Sequence, residues 1–265
     1  MGFYIKGNFC GSLCRNFHEP LSNVVVKVYL PEEPTTENSR TKYTFGILKE
    51  ETVLKKIKFL IGIGKTDALG NYEIKLSDQY NGGPVAFDIE VTEVPRQKAK
   101  ISKKIQFTLT TLQPVWKEGG GESYYNWHYC LPFKFWASIR TAFDAWMICG
   151  YVKSASDHRI PIAGAKVSAY DSDWIKDDFL GTVSTDSSGY FRIDYSSVDF
   201  KKTFLSPLVN VETPFSPIPG PGVYFKVASN EGVMLFEENK ADGEKMPRRN
   251  IPNCFDIELY VDCNE

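Results

Sequence analysis

The chain has 265 residues, 42% of them hydrophobic and 24% charged, the balance of a globular protein and not of a disordered one. Its 31 Lys and Arg stand against 33 Asp and Glu, so the formal charge is −2 and the basic excess of a phosphate-backbone binder is excluded. Eighteen Phe, 14 Tyr and 5 Trp accompany three histidines, His18, His128 and His158, which suits strands and broad contact surfaces better than acid–base chemistry.

The opening residues MGFYIKGNFCG lack the apolar run of about 7–15 residues that a signal peptide needs, and Lys6 stands where a myristoylation motif wants Ser or Thr. No stretch approaches the roughly 18 apolar residues of a membrane span, so none is expected. The chain is therefore expected to be cytoplasmic at synthesis, with export by a non-classical route or as part of a particle left open. Six cysteines occur, at Cys10, Cys14, Cys130, Cys149, Cys254 and Cys263. Their spacings fit no zinc ribbon, and buried reduced thiols are the leading expectation, with one or two disulfides or a metal as alternatives.

The chain contains an internal repeat, the sign of a duplicated module. Pro20-Leu-Ser-Asn-Val-Val-Val-Lys-Val-Tyr29 reappears as Pro161-Ile-Ala-Gly-Ala-Lys-Val-Ser-Ala-Tyr170. Thr66-Asp-Ala-Leu-Gly-Asn-Tyr-Glu-Ile74 matches Thr185-Asp-Ser-Ser-Gly-Tyr-Phe-Arg-Ile193. Val85–Ile89 resembles Val223–Val227, and Ile105–Leu109 resembles Phe255–Leu259. Each block alternates apolar and polar residues, as half-buried strands do, with Val24, Val26 and Val28 facing inward. Asp67 and Asp186 are expected to bond backbone amides in tight turns closed by Gly70 and Gly189.

The first copy also carries an insertion near 45–58. Ile47-Leu-Lys-Glu-Glu-Thr-Val-Leu-Lys-Lys56 predicts a short helix there, with Ile47, Leu48, Leu54 and Ile57 packing on a sheet edge. Residues 113–147 read as an aromatic connector. After Pro132, Phe133, Trp136, Ile139, Phe143 and Trp146 fall at helical spacing. This stripe is expected to be core, with the alternative that Trp127, Trp136, Phe143 and Trp146 anchor a partner or a second copy. Exposed aromatics could also stack on carbohydrate. The second copy carries a proline-rich insertion near 196–221, expected as a stiff surface loop.

A glycine strand, a Pro-Leu/Ile-x-x-x-x-Val-x-x-Tyr strand and Thr-Asp-x-x-Gly-x-Tyr/Phe together resemble the carboxypeptidase regulatory-like, transthyretin-like β-sandwich family. In copy two the motifs are Gly150-Tyr-Val, Pro161 to Val167, Thr185 to Phe191 and Tyr224-Phe-Lys-Val; in copy one they are Gly11-Ser-Leu, Pro20 to Tyr29 and Thr66 to Ile74. The resemblance implies an all-β chain of two tandem Greek-key sandwiches, at 1–112 and 148–265, joined by the connector. It also implies non-catalytic accessory or adhesion modules.

Asp171-Ser-Asp-Trp-Ile-Lys-Asp-Asp-Phe-Leu-Gly181 is similar to a calcium loop of C2 domains, which makes Asp171, Asp173, Asp177 and Asp178 the candidate ligands for calcium, against a solvated acidic turn. His-Glu-x-x-His, Gly-x-Ser-x-Gly and Walker patterns are missing. His18 and His158 are expected in equivalent surface turns, and His128 with Cys130 shares a strand face without implying catalysis. The sequence thus predicts a non-catalytic structural or interaction protein, a component or adaptor of a larger bacterial assembly or secreted particle. An adhesin- or lectin-like ligand-binding module is the alternative, and an enzyme comes third.

Overall fold

The computed structural model describes residues 2–14, 17–31, 45–172, 178–200 and 220–262. It is all-β and divides into two compact units. Unit 1 comprises Met1–Ser12, His18–Pro95 and Ile101–Trp136; unit 2 comprises Leu13–Phe17, Arg96–Lys100 and Ala137–Glu265.

Unit 1 contains β1 (Phe3–Ser12), β2 (His18–Pro20), β3 (Val25–Tyr29), α1 (Glu50–Lys56), β4 (Leu60–Lys65), β5 (Asn71–Lys75), β6 (Val85–Val91), β7 (Ile105–Leu112), β8 (Lys117–Gly119) and β9 (Glu122–Leu131). One sheet runs β2-β1-β9-β8, with β5 also on β1; the other runs β4-β3-β6-β7. After α2 (Phe133–Ala142), unit 2 contains β10 (Trp146–Ser154), β11 (Lys166–Asp171), β12 (Asp178–Ser184), β13 (Tyr190–Tyr195), β14 (Val223–Ala228), β15 (Met234–Glu237) and β16 (Cys254–Val261). Its sheets run β13-β10-β16 and β12-β11-β14-β15. Val167, Ala169 and Phe225 of the second sheet are buried with Ile148, Phe191 and Leu259 of the first in one core, as a sandwich requires.

The two units repeat one hydrogen-bond frame. In unit 1 the Thr66 hydroxyl donates to Leu21 O and accepts from Val24 N at 3.0 Å; in unit 2 the Thr185 hydroxyl donates to Ile162 O at 2.7 Å and accepts from Ala165 N at 2.9 Å. Asp67 Oδ1 accepts from the amides of Leu69 and Asn71, and Asp186 Oδ1 from those of Ser188 and Tyr190. The aspartates are turn residues, as their spacing predicts. Gly70 and Gly189 sit at φ +81° and +76°, a conformation that side chains rarely adopt.

That frame also corrects two of the sequence matches. Gly150 pairs with Phe191 on one side and Ile257 on the other; its counterpart between Tyr72 and Trp127 is Gly7, and not Gly11. A Cβ at Gly7 would run into the Trp127 carbonyl, and one at Gly150 into that of Ile257. The strand β7 pairs with β6 as β15 pairs with β14, whereas β16 lies parallel to β10 as β9 lies parallel to β1. Ile105–Leu109 and Phe255–Leu259 share an alternation but not a position. Residues 122–131, expected in the connector, form β9 of the unit 1 sheet.

The insertion protects an edge, though by another route than expected. Phe45 N and Leu48 N donate to Thr108 O and Gln106 O, so Phe45–Leu48 cover the free side of β7. Leu54 and Ile57 are exposed instead of packed. The anchor is Lys56, whose Nζ lies 2.6 Å from both oxygens of the fully buried Asp88. The segment after Pro132 is helical as α2 but stops at Ala142; Asp144 has φ +51°, and Trp146 already belongs to β10. Most of the proline-rich insertion, 201–219, lies outside the described residues.

Candidate functional site

The outer face of the β2-β1-β9 sheet gathers the chemistry-bearing side chains of unit 1. Successive residues of a strand point to opposite faces. Along β1 the buried positions are Ile5, Phe9 and Gly11, leaving Tyr4, Lys6, Asn8, Cys10 and Ser12 on the other side. The parallel register sets Cys10 opposite Cys130, and the β1–β2 hairpin sets Ser12 opposite His18. Cys10, Ser12, His18 and Cys130 therefore share one face.

Cys10 and Cys130 form a disulfide with a Cα–Cα distance of 4.4 Å. His18 Nδ1 lies 3.3 Å from Cys130 Sγ, and the Ser12 hydroxyl donates to the same sulfur at 3.6 Å. The two sulfurs and an imidazole nitrogen all lie within 4.8 Å of one another. His18 is exposed and both cysteines half-buried, so the group meets solvent. Among the described residues it is the one grouping of three such side chains with ligand atoms this close.

The opposite face fixes that geometry. Gly11, Glu19 and Leu131 alternate with the site residues and are buried, and a Cβ at Gly11 would enter the Trp136 indole ring. The Trp136 indole N–H donates to Glu19 Oε1 at 2.7 Å. Burial of Glu19 thus holds β2, and with it His18, in register.

In unit 2 the same frame carries other residues. Lys153 bridges to Pro161 and pairs with Tyr260, as Cys10 bridges to Pro20 and pairs with Cys130. His158 lies in a turn, as expected, with its ring 4.0 Å from that of Tyr260. The fold does not require cysteines at these positions.

Three further cysteines, Cys14, Cys149 and Cys254, are buried free thiols in unit 2. Cys14 Sγ lies 2.7 Å from Cys149 Sγ, and Cys14 N donates to Cys254 Sγ at 3.4 Å. The hydrogen bond to Cys149, with burial, holds the Cys14 thiol protonated far above its ordinary range. Its bond to Cys14, with burial, does the same for Cys254. A thiol held protonated in this way is a poor nucleophile. Cys263 lies outside the described residues.

The sequence-predicted sites fare differently. Asp171 and Asp178 face each other in register at the end of the β11–β12 pair, both buried, and Asp171 Oδ1 accepts from Gly222 N at 3.1 Å. Asp173 and Asp177 lie outside the described residues. Trp136 and Phe143 are fully buried and Trp146 nearly so, which makes these three core and removes them as surface anchors. Trp127 is half-buried on the inner face, 4.4 Å from Phe87 and 5.3 Å from Phe9 between ring centroids. His18 lies in β2 and not in a turn, and it is His18, not His128, that approaches Cys130. Sequence reasoning misses this group because its partners are 112 and 120 residues apart and meet through parallel pairing.

No family model matches the chain, and no curated protein does. Among solved structures, shaft pilin SpaA from Lactobacillus rhamnosus GG aligns at 10% identity over 100% of this chain and 99% of the pilin, with TM-score 0.27. The Bacillus anthracis TIE protein aligns at 11% identity over 98% of this chain and 34% of its own, with TM-score 0.27. A 9R-lipoxygenase from Cyanothece PCC8801 aligns at 15% identity over 51% of this chain and 17% of its own, with TM-score 0.28. At these scores the likenesses carry no argument about function.

Proposed function

We propose that this chain is a non-catalytic structural and interaction protein, a component or adaptor of a larger assembly, built from two tandem sandwiches of the carboxypeptidase regulatory-like, transthyretin-like kind. One observation carries the reading: the Thr-Asp-Gly frame repeats bond for bond in both units while their insertions differ. A rigid frame with divergent loops suits presentation of surfaces to partners, since loops held on a fixed scaffold tolerate change and carry recognition. In unit 1 the insertion is itself tied down by Lys56 on Asp88.

The test is mass in native extract, measured by light scattering after gentle crosslinking, beside the purified chain. The expected result is a species heavier than one chain in which this protein has fixed stoichiometry. A monomer under both conditions, with no crosslinked partner, would overturn the proposal.

A further inference from the structure

We propose that Cys10, Cys130 and His18 form a thiol–disulfide site that, when reduced, binds a thiophilic divalent cation of the zinc class. Cysteine sulfur and imidazole nitrogen are the donors such a cation selects. Around a tetrahedral zinc, with bonds of about 2.3 Å to sulfur and 2.0 Å to nitrogen, neighbouring donors stand roughly 3.5–3.8 Å apart. His18 Nδ1 is already 3.3 Å from Cys130 Sγ, and all the donor atoms lie within 4.8 Å of one another. Rotation about the two Cα–Cβ bonds is enough to part the sulfurs, because their Cα atoms sit 4.4 Å apart on adjacent strands. Water fills the fourth position, or His128, exposed two residues before Cys130 on the same face of β9.

Three features separate this site from a structural crosslink. The equivalent positions of unit 2 hold Lys153 and Tyr260, so the frame stands without cysteine there. The group is open to solvent, which cation exchange and reduction both need, whereas Cys14, Cys149 and Cys254 are buried. Ser12, bonded to the Cys130 sulfur, supplies an outer contact of the kind that orients metal ligands, and Glu19, bonded to Trp136, anchors the strand that carries His18.

The chemistry balances in two steps. A dithiol reductant delivers two electrons and two protons to the Cys10–Cys130 bond, giving two thiols and the reductant's own disulfide. Cation binding then displaces the two thiol protons to solvent. Oxidised and metal-bound forms exclude each other.

Cobalt(II) added to the full chain tests this, read by its thiolate charge-transfer absorption, with zinc as competitor and circular dichroism as the check on folding. The reduced wild type is expected to bind one cobalt that zinc displaces, and the oxidised wild type none. Cys10→Ser and Cys130→Ser should abolish the absorption. His18→Ala, at an exposed position that leaves both thiols in place, should weaken binding at least about tenfold. No charge-transfer band in the reduced wild type would overturn the proposal. So would a band that survives in the Cys10→Ser/Cys130→Ser double variant, since that assigns binding to the remaining cysteines, Cys14, Cys149, Cys254 or Cys263.

Discussion

The indole of Trp136 donates its hydrogen bond to the Glu19 carboxylate, and both side chains are buried. Trp136→Phe keeps most of the ring volume and removes the donor from a charged acceptor. Hydrogen bonds of that kind contribute about 1.5–3 kcal/mol, so the unfolding free energy should fall by that amount with unchanged denaturant slope. The same variant should loosen β2 and weaken cobalt binding. Wild-type stability in Trp136→Phe would show the bond to be dispensable.

Thr66→Val and Thr185→Val test the repeated frame. Each hydroxyl serves a carbonyl and an amide at once, and valine matches its shape while satisfying neither. Each substitution should destabilise by about 1–3 kcal/mol, measured by guanidinium unfolding. An effect in one copy and none in the other would break the equivalence of the two frames.

Lys56→Ala strands the carboxylate of Asp88 with the hydroxyl of Thr108 and the amide of Gln106, at 2.8 Å each, as its remaining donors. Removing one member of a buried pair typically costs about 3–5 kcal/mol, whereas replacing both by apolar residues of similar volume is often neutral. Lys56→Met with Asp88→Leu should therefore be more stable than Lys56→Ala alone. Thermal melts of the two variants decide it, and the reverse order would sink the argument.

Alkaline pH should destabilise the chain. Its shared hydrogen bond raises the Cys14 thiol above its ordinary 9.0, and burial raises the Tyr72, Tyr190 and Tyr195 phenols above their ordinary 10.0. A group whose affinity for its proton rises on folding contributes stability that is complete below its unfolded value and declines as pH climbs past it. Unfolding midpoints should hold to about pH 8 and fall from about pH 9 upward. A flat profile to about pH 11 would contradict the burial of these groups.

Much of the fold is legible in the sequence because it is written locally. Val24, Val26 and Val28 alternate into the core, and the Thr-Asp-x-x-Gly turn is closed by side chains within four residues of one another. Pairings set by topology are not legible. Nothing near Gly7 says that Trp127 approaches it, so the motif match puts the glycine strand four residues late, at Gly11. Alternation alone does not tell β7 from β9 as the counterpart of β16. The thiol–imidazole group is hidden for the same reason: His18 reads as a turn residue until the short strand β2 is seen against β1.

In both units the first and last strands lie side by side and parallel: β1 on β9 from Phe3 and Ser123 to Gly11 and Leu131, and β10 on β16 from Met147 and Cys254 to Ser154 and Val261. Tension along a chain leaving such a pair pulls the two strands in opposite directions along their length. Their hydrogen bonds must then yield together in shear, where an antiparallel hairpin would unzip one bond at a time. The Cys10–Cys130 bond crosses that shear plane in unit 1, so when oxidised it carries the strain covalently and leaves residues 11–129 slack. Reduction would hand the force back to the hydrogen bonds, making the mechanical strength of unit 1 answer to the thiol chemistry of its surroundings.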